Sequence, residues 1–117
     1  MNRLPDYLEH IEAAAALACS YVEGMDRADF ESDRRTQQAV IMNLIIIGEA
    51  ATKLLQEHAS FCARHPSVPW HGMKGMRNRM AHGYFDINLD VVWSTVWTAL
   101  PTLLEQLARI RAEDDIA

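Results

Sequence analysis

Apolar side chains recur along the first part of the chain at intervals of three and four, the spacing that places them on one side of a helix. They are Leu4, Leu8, Ile11, Ala15, Ala18, Val22 and Met25. The pattern predicts a first helix over residues 5–23, which Gly24 ends. Residues 25–31 are charged and turn-like, and Ser32 or Asp33 is well placed to cap a second helix.

The second predicted helix begins near Asp33 and is apolar around most of its circumference. One apolar stripe consists of Val40, Leu44, Ile47, Ala51 and Leu54. Further apolar residues lie on other sides of the helix, and they are Ile41, Ile45, Ile46 and Leu55. Such a helix is buried on more than one face, and a small domain has few elements to cover it. We therefore predict a homodimer through this helix, with Asn43 bonding across the pair. The alternative is an isolated bundle with this helix at its centre.

Two prolines interrupt the helical pattern after this segment, because neither Pro66 nor Pro69 can donate a backbone hydrogen bond. Pro69 instead suits a helix start, and we predict a third helix over residues 69–82. Two glycines inside this helix weaken it. Gly83 is expected to adopt the left-handed conformation that often follows a helix end.

The last predicted helix follows Asn88, a capping residue, with Asp90 in its first turn. Pro101 lies inside its apolar pattern and predicts a kink, and the acidic residues 113–115 are predicted to fray. No segment alternates with period two over more than a few residues. The sequence therefore predicts an all-α fold, an antiparallel bundle of four or five helices that forms a single domain over residues 1–117.

Composition narrows the functional class. A pI of about 5.4 argues against a general nucleic-acid coat or a membrane-surface protein, since both need a broad basic face. The longest apolar run is interrupted by Asn43 and is shorter than the ~20 residues of a membrane span. Acidic residues occupy the position of a signal peptide's basic region. We therefore expect a cytoplasmic protein without a membrane segment.

The cysteines and histidines predict no metal site and no cofactor. Cys19 and Cys62 are far apart in the sequence, and we expect free, mostly buried thiols. The four histidines before residue 72 make no ligand-spaced pair, and the chain lacks the Glu-x-x-His repeats of di-iron bundles. Packing explains the three tryptophans, at positions 70, 93 and 97, better than base stacking does.

One segment has a charge opposite to that of the chain. Residues 58–85 contain no Asp or Glu but include Arg64, Lys74, Arg77 and Arg79, a local charge of +4 with histidines neutral. The whole chain has a net charge of −5, so the remainder carries −9. A cationic segment in an acidic protein predicts an anionic partner, and phosphate is the commonest one.

Within this cationic segment, the side chains suited to chemistry cluster near the end of the third predicted helix. Asn78 and Arg79 precede His82 by four and three residues, so the three share a helix face. Arg77 lies about 140° away around the axis, at ~100° per residue. Its long side chain or a dimer mate has to close that gap. Tyr84 follows two residues after His82, near enough for its hydroxyl to face the same cleft.

A histidine beside an arginine suits metal-free RNA cleavage. His82 can give or take a proton at neutral pH, and Arg77 can hold a phosphate and the charge that develops on it. The 2′-hydroxyl of RNA would be deprotonated, attack the adjacent phosphorus and expel the 5′-oxygen. Lys74 would gather phosphates at the cleft rim or simply lie on the surface. In the alternative interpretation, His82 only ends a helix and the arginines are solvated.

The third helix and the residues after it resemble the signature of the HepT toxins of the HEPN superfamily. The resembling residues are Gly75-Met76-Arg77-Asn78-Arg79-Met80-Ala81-His82-Gly83-Tyr84-Phe85, followed by Asn88-Leu89-Asp90-Val91-Val92-Trp93. The earlier run Ile47-Gly48-Glu49-Ala50 and the turn from His65-Pro66 to Pro69-Trp70 are also similar to that family. The resemblance therefore covers nearly the whole chain.

This resemblance implies an all-α dimer with a composite cleft that acts as a ribonuclease toxin in a type VII toxin–antitoxin pair. The family's Arg-x4-His-x-Tyr motif falls on Arg77, His82 and Tyr84, with Asn78 and Arg79 as polar helpers. The implied partner is a nucleotidyltransferase antitoxin of the MntA type, which transfers AMP from ATP to the motif tyrosine, here Tyr84. The alternatives are a non-catalytic helical module that binds a nucleotide or a nucleotidyltransferase, and a plain dimeric scaffold.

Overall fold

The computed structural model describes residues 2–116, which form seven α-helices. They are α1 (Leu4–Tyr21), α2 (Arg27–Glu31), α3 (Arg34–Glu57), α4 (Ala59–Arg64), α5 (Trp70–His82), α6 (Leu89–Ser94) and α7 (Leu100–Glu113). A 3₁₀ turn at Tyr84–Asp86 follows α5, and a π-helical segment at Thr95–Ala99 joins α6 to α7. No β-strand occurs between residues 2 and 116, so the predicted all-α fold class is confirmed.

Helix α3 is the centre of the bundle because its apolar side chains meet helices on two sides. It packs mainly against α1 and α5, and α7 packs against α1. Removing apolar surface from water is the main favourable term that holds such helices together. The largest fully buried side chains come from five of the helices, the π-helical segment and the residue that follows α1, and they are Leu8, Ile11, Val22, Phe30, Val40, Leu54, Val92, Val96 and Leu107.

Two capping side chains, both among the predicted candidates, determine where α3 and α6 begin. Asp33 accepts a 3.1 Å hydrogen bond from the Thr36 N–H, and this bond lowers the pKa of the Asp33 carboxyl, with help from the Thr36 hydroxyl. Asn88 Oδ1 accepts hydrogen bonds of 2.9 and 3.3 Å from the N–H groups of Asp90 and Val91. These oxygens satisfy N–H groups that a helix leaves unpaired at its start.

The predicted turn over residues 25–31 is wrong, because this segment contains the short helix α2. A reciprocal pair of caps begins the helix. The Asp26 side chain accepts from the Asp29 N–H at 2.8 Å, and the Asp29 side chain accepts from the Asp26 N–H at 3.1 Å. Phe30 is fully buried and fixes α2 to the core. One aromatic side chain therefore decides the structure of a charged segment.

Two predictions about helix ends are also wrong. Gly83 has φ −133°, outside the left-handed region, because the chain continues into the 3₁₀ turn, where the Asp86 N–H donates to the Gly83 carbonyl at 2.9 Å. Helix α7 extends to Glu113, and Asp114 is held rather than frayed, since its Oδ2 lies 2.9 Å from Nε2 of His65. This contact fixes the start of the acidic tail.

Two other predicted breaks have a clear structural counterpart. Gly24, with φ 75°, turns the chain after α1, in the left-handed conformation that glycine adopts without a steric penalty. Before Pro101 the helix widens into the π-helical segment, where the Leu100 N–H bonds to the carbonyl of Thr95, five residues earlier. Such local widening is one way for a helix to absorb an irregularity, here next to a residue without an N–H.

One side of α3 is uncovered in a single copy of the chain. Met42 is 58% exposed and Ile46 is 37% exposed, while Asn43 is buried and donates to the Ala39 carbonyl of its own helix. The homodimer and a bond from Asn43 to a second copy stay predictions. Within residues 2–116, α3 alone is long and apolar enough to cross a membrane. Core helices of water-soluble proteins pass the same test, so no membrane span is clearly indicated.

Helices α3 and α5 approach each other closely at Gly48. A Cβ atom added to Gly48 would overlap the Cβ of Arg77 and lie 2.7 Å from the carbonyl oxygen of Met73. Only a residue without a side chain allows the backbone of α5 to lie so near α3. This contact positions Arg77 and, through the helix, the residues that follow it.

Replacing Gly48 with Ala should therefore force α3 and α5 apart. We expect a loss of about 1–3 kcal/mol in the free energy of unfolding, the usual cost of overpacking a core. Gly75→Ala is the control, because its added Cβ would meet only Arg79 Nη1 at 3.5 Å. That variant should gain ~0.5–1 kcal/mol from better helix propensity. Urea unfolding followed by circular dichroism measures both, and equal stabilities would refute a close contact at Gly48.

Candidate functional site

Arg77 lies on the side of α5 that faces α3, and two side chains hold its guanidinium group. Its Nε donates a 2.5 Å hydrogen bond to Oε1 of Glu49, and its Nη2 forms an ion pair with the same oxygen. Its Nη1 donates to Oδ1 of Asn78 at 2.5 Å. The Arg77 side chain is 25% exposed and that of Glu49 is 50% exposed, so the pair lies at the surface with the guanidinium partly covered.

A cleft of about 470 Å³ opens between α5, the 3₁₀ turn and the start of α6. Asn78, Arg79 and His82 all line it, as their shared helix face requires. The other lining residues are Met76, Met80, Gly83, Asp86, Ile87, Asn88 and Val91. The cleft therefore combines a titratable imidazole, a guanidinium, the carboxylate of Asp86 and amide groups with apolar walls. This combination suits a ligand that has both anionic and apolar parts.

His82 is the last residue of α5, and its side chain is exposed. Its imidazole makes no hydrogen bond or ion pair with any other described residue, from position 2 to 116. A neutral imidazole has one donor and one acceptor nitrogen, and it can change its protonation near neutral pH. Both nitrogens of His82 are therefore available to a ligand in the cleft.

Tyr84 lies in a groove next to the cleft of His82, not in the cleft itself. Its side chain is 63% exposed, and its ring centroid lies 4.3 Å from that of Phe85. The groove, of about 390 Å³, is formed with α3 and shares Ile87 with the cleft; its other residues are Arg34, Gln37, Gln38, Ile41, Met42, Ile45 and Leu89. Within one copy of the chain, the 3₁₀ turn thus places Tyr84 and His82 differently from the single cleft that the sequence led us to expect.

The four cations of residues 58–85 have different surroundings. Lys74 lines a separate groove formed with the start of α5, not the cleft rim. Arg77 is ion-paired as described above, and Nη2 of Arg64 lies 3.8 Å from Oδ2 of Asp114. Arg79 lines the cleft and has no ion pair with another described residue. Carboxylates from outside the segment therefore offset part of its positive charge.

The tryptophans take part in packing, as predicted. Trp70 is 4% exposed, and its Nε1 donates to the His65 carbonyl at 3.1 Å. The ring centroid of Trp93 lies 5.4 Å from that of Phe30 in the core. Trp97 stacks on Trp93 at 5.2 Å and is 55% exposed, so it covers the flank of the bundle.

The described residues hold no candidate metal centre. From position 2 to 116, no group of three or more His, Cys, Asp or Glu is arranged to hold a metal ion. Cys19 and Cys62 are free, and burial raises the pKa of both thiols, which disfavours the reactive thiolate. These cysteines therefore belong to the packing of the bundle.

A comparison with known families identifies the family of this chain. A sequence model of the family described as Ribonuclease HepT-like matches residues 11–110, which include the cleft and Tyr84. This chain belongs to the HepT-like ribonuclease family. It is 37% identical over 106 residues to a protein of Thermococcus cleftensis named "Probable ribonuclease HepT", covering 91% of this chain and 94% of that protein.

A second relative of this HepT-like chain comes from Caldanaerobacter subterraneus subsp. tengcongensis and is named "Putative RNase TTE0752". It is 36% identical over 104 residues, which are 89% of this chain and 90% of that protein. No solved structure matches the chain. The similarity to both relatives therefore extends over most of the chain.

The contact of Glu49 with Arg77 was not predicted, because the two residues are 28 positions apart in the sequence. The sequence did contain one feature that could have indicated this contact. Gly48 follows the apolar run of residues 44–47 inside a helix, and a glycine at such a position allows the close approach of another backbone. The residue after such a glycine is a candidate for contact with the approaching helix.

Arg77→Ala should leave the fold of this HepT-like protein intact. Alanine keeps the Cβ that packs on Gly48, and the lost ion pair is partly exposed, so we expect a change within ~1 kcal/mol. Met80→Ala, which truncates a side chain on the same helix that is only 5% exposed, is the control and should cost about 2–5 kcal/mol. Thermal unfolding compares them. Unfolding of the Arg77 variant would assign Arg77 a structural role instead.

Proposed function

We propose that this protein is a metal-independent endoribonuclease toxin in which His82 and Arg77 carry the chemistry. The observation that supports it most is the free imidazole of His82, in a cleft with Asn78 and Arg79, five residues after Arg77 on the same helix. Membership of the HepT-like ribonuclease family makes RNA the expected substrate. We further propose a cytoplasmic location.

The proposed reaction is a displacement within the RNA strand. A base removes the proton of the 2′-hydroxyl, the 2′-oxygen forms a bond to the adjacent phosphorus, and the bond from phosphorus to the 5′-oxygen breaks. The leaving 5′-oxygen takes a proton from an acid. His82 is suited to either proton transfer, and Arg77 to the charge that grows on the phosphoryl oxygens. Asn78 and Arg79 would orient the phosphate through hydrogen bonds.

We propose that the active form is a homodimer. Arg77 contacts Glu49 on α3 whereas His82 lines the cleft on another side of α5, so a second copy would help to direct both side chains at a single phosphate. The exposed apolar residues Met42 and Ile46 on α3 favour contact with a second copy. A symmetric pair would offer each cleft residues from both protomers.

A cognate nucleotidyltransferase antitoxin of the MntA type is the proposed partner, in a type VII toxin–antitoxin system. It would transfer AMP from ATP to the exposed hydroxyl of Tyr84, forming a phosphodiester and releasing pyrophosphate. The adenylate would place negative charge and bulk next to the cleft, with which the Tyr84 groove shares Ile87. It would then compete with RNA for the same cationic donors.

The alternative function is a non-catalytic module that binds a nucleotide or a nucleotidyltransferase. The separation of Tyr84 from His82 favours this binding function, because an exposed tyrosine in its own groove can contact a ligand or partner without taking part in catalysis. A stable complex with a nucleotidyltransferase and no RNA cleavage would support this alternative.

His82→Ala should abolish RNA cleavage, because general acid–base catalysis is typically worth ~10² to 10⁴ in rate. Purified protein is incubated with RNA in excess EDTA, wild type beside the variant. His71→Ala is the control, since this exposed histidine lines a different groove and should cleave like wild type. Activity that persists in the His82 variant, or that EDTA removes from the wild type, would contradict the proposal.

Incubation with ATP and the partner enzyme should add adenylate to Tyr84. Tyr7 provides a contrast, because it is buried and its hydroxyl donates a hydrogen bond to Glu57, while Tyr84 is exposed. Mass spectrometry of peptides locates the label, and Tyr84→Phe should stay unmodified. Label on another residue would show that the tyrosine assignment is wrong.

A further inference from the structure

Glu49 is the one carboxylate that contacts Arg77 among residues 2–116. It comes from α3, whereas Arg77 lies on α5, so the contact joins two helices. Gly48 precedes it at the point where these helices touch. The position of the Glu49 backbone relative to Arg77 is therefore determined by helix packing and not by chance orientation of two long side chains.

The donors of Arg77 are divided between two acceptors. A guanidinium group has five N–H groups, one on Nε and two on each terminal nitrogen. Glu49 takes the Nε side, together with Nη2, and Asn78 takes one N–H of Nη1. This leaves one N–H on Nη1 and one N–H on Nη2, and each of them can donate a hydrogen bond to a phosphate oxygen.

We propose that Glu49 is a positioning residue, which holds the Arg77 guanidinium in one orientation so that its remaining donors can bind an RNA phosphate. This inference rests on the proposed ribonuclease function. Asn78 shares the task and links Arg77 to the cleft, because its side chain lines that cleft while its Oδ1 accepts from Arg77. An arginine side chain without such support loses rotamer entropy when it binds, so prior orientation favours the productive geometry.

A carboxylate beside a phosphate site can also act as a competitor. Glu49 is half exposed, and its charge would repel an RNA phosphate that approaches Arg77. The two roles predict opposite kinetics. A positioning residue raises kcat, because a misplacement of about 1 Å can cost ~10²-fold in rate. A competitor raises KM and leaves kcat unchanged.

The kinetic test compares Glu49→Ala, which removes the acceptor, with Glu49→Gln, which removes the charge but keeps an amide oxygen as acceptor. We expect kcat for RNA cleavage to fall about 10- to 100-fold in the alanine variant, with KM changed less than ~3-fold, and glutamine to restore part of the loss. Glu57→Gln makes the same charge change on α3 away from Arg77 and should match wild type. A lower KM at unchanged kcat in both Glu49 variants would overturn the proposal.

A second readout does not depend on cleavage. The Nε–H resonance of Arg77, identified by its absence in Arg77→Lys, should exchange slowly with water in the wild type and quickly in Glu49→Ala. Equal exchange in both proteins would overturn the positioning role whatever the kinetics. If the wild type fails to cleave RNA, the ribonuclease proposal is lost, and the Nε–H exchange still decides whether Glu49 holds Arg77.

Discussion

The close contact of α3 and α5 at Gly48 is the constraint on which the candidate site depends. Because no Cβ separates the two helices there, the Arg77 backbone lies directly against α3, and its side chain reaches Glu49. The direction of α5 then determines where His82 emerges, five residues later, at the other side of the helix. The absence of a side chain at Gly48 thus determines how the charged groups of the site are placed.

The two sides of α5 have different environments. The Arg77 side is ion-paired and partly covered, whereas the His82 side opens into a cleft with apolar walls. Asn78 belongs to both, since it lines the cleft and accepts a hydrogen bond from Arg77. In the proposed homodimer, a second copy of the chain would bring one side of α5 opposite the other.

Tertiary contacts, more than the order of charged residues in the sequence, determine which positive charges of this protein are neutralised. Residues 58–85 read as a cationic segment, but Glu49 and Asp114 from outside it lie against two of its four basic residues. Arg79 lines the cleft and forms no ion pair with another described residue. An acidic protein can therefore present a small positive site to an anion while the rest of its surface repels it.

The sequence by itself determined the fold class, the approximate limits of the long helices and the shared face of Asn78, Arg79 and His82. These properties follow from helical periodicity and capping, which act between residues a few positions apart. Only the tertiary structure decided the pairing of Arg77 with Glu49 and the placement of Tyr84 in a separate groove. The sequence also failed to predict helix α2, which depends on the burial of Phe30, and the ordered position of Asp114, which depends on its contact with His65. Contacts between residues far apart in the chain depend on how the helices pack, and no local pattern encodes that packing.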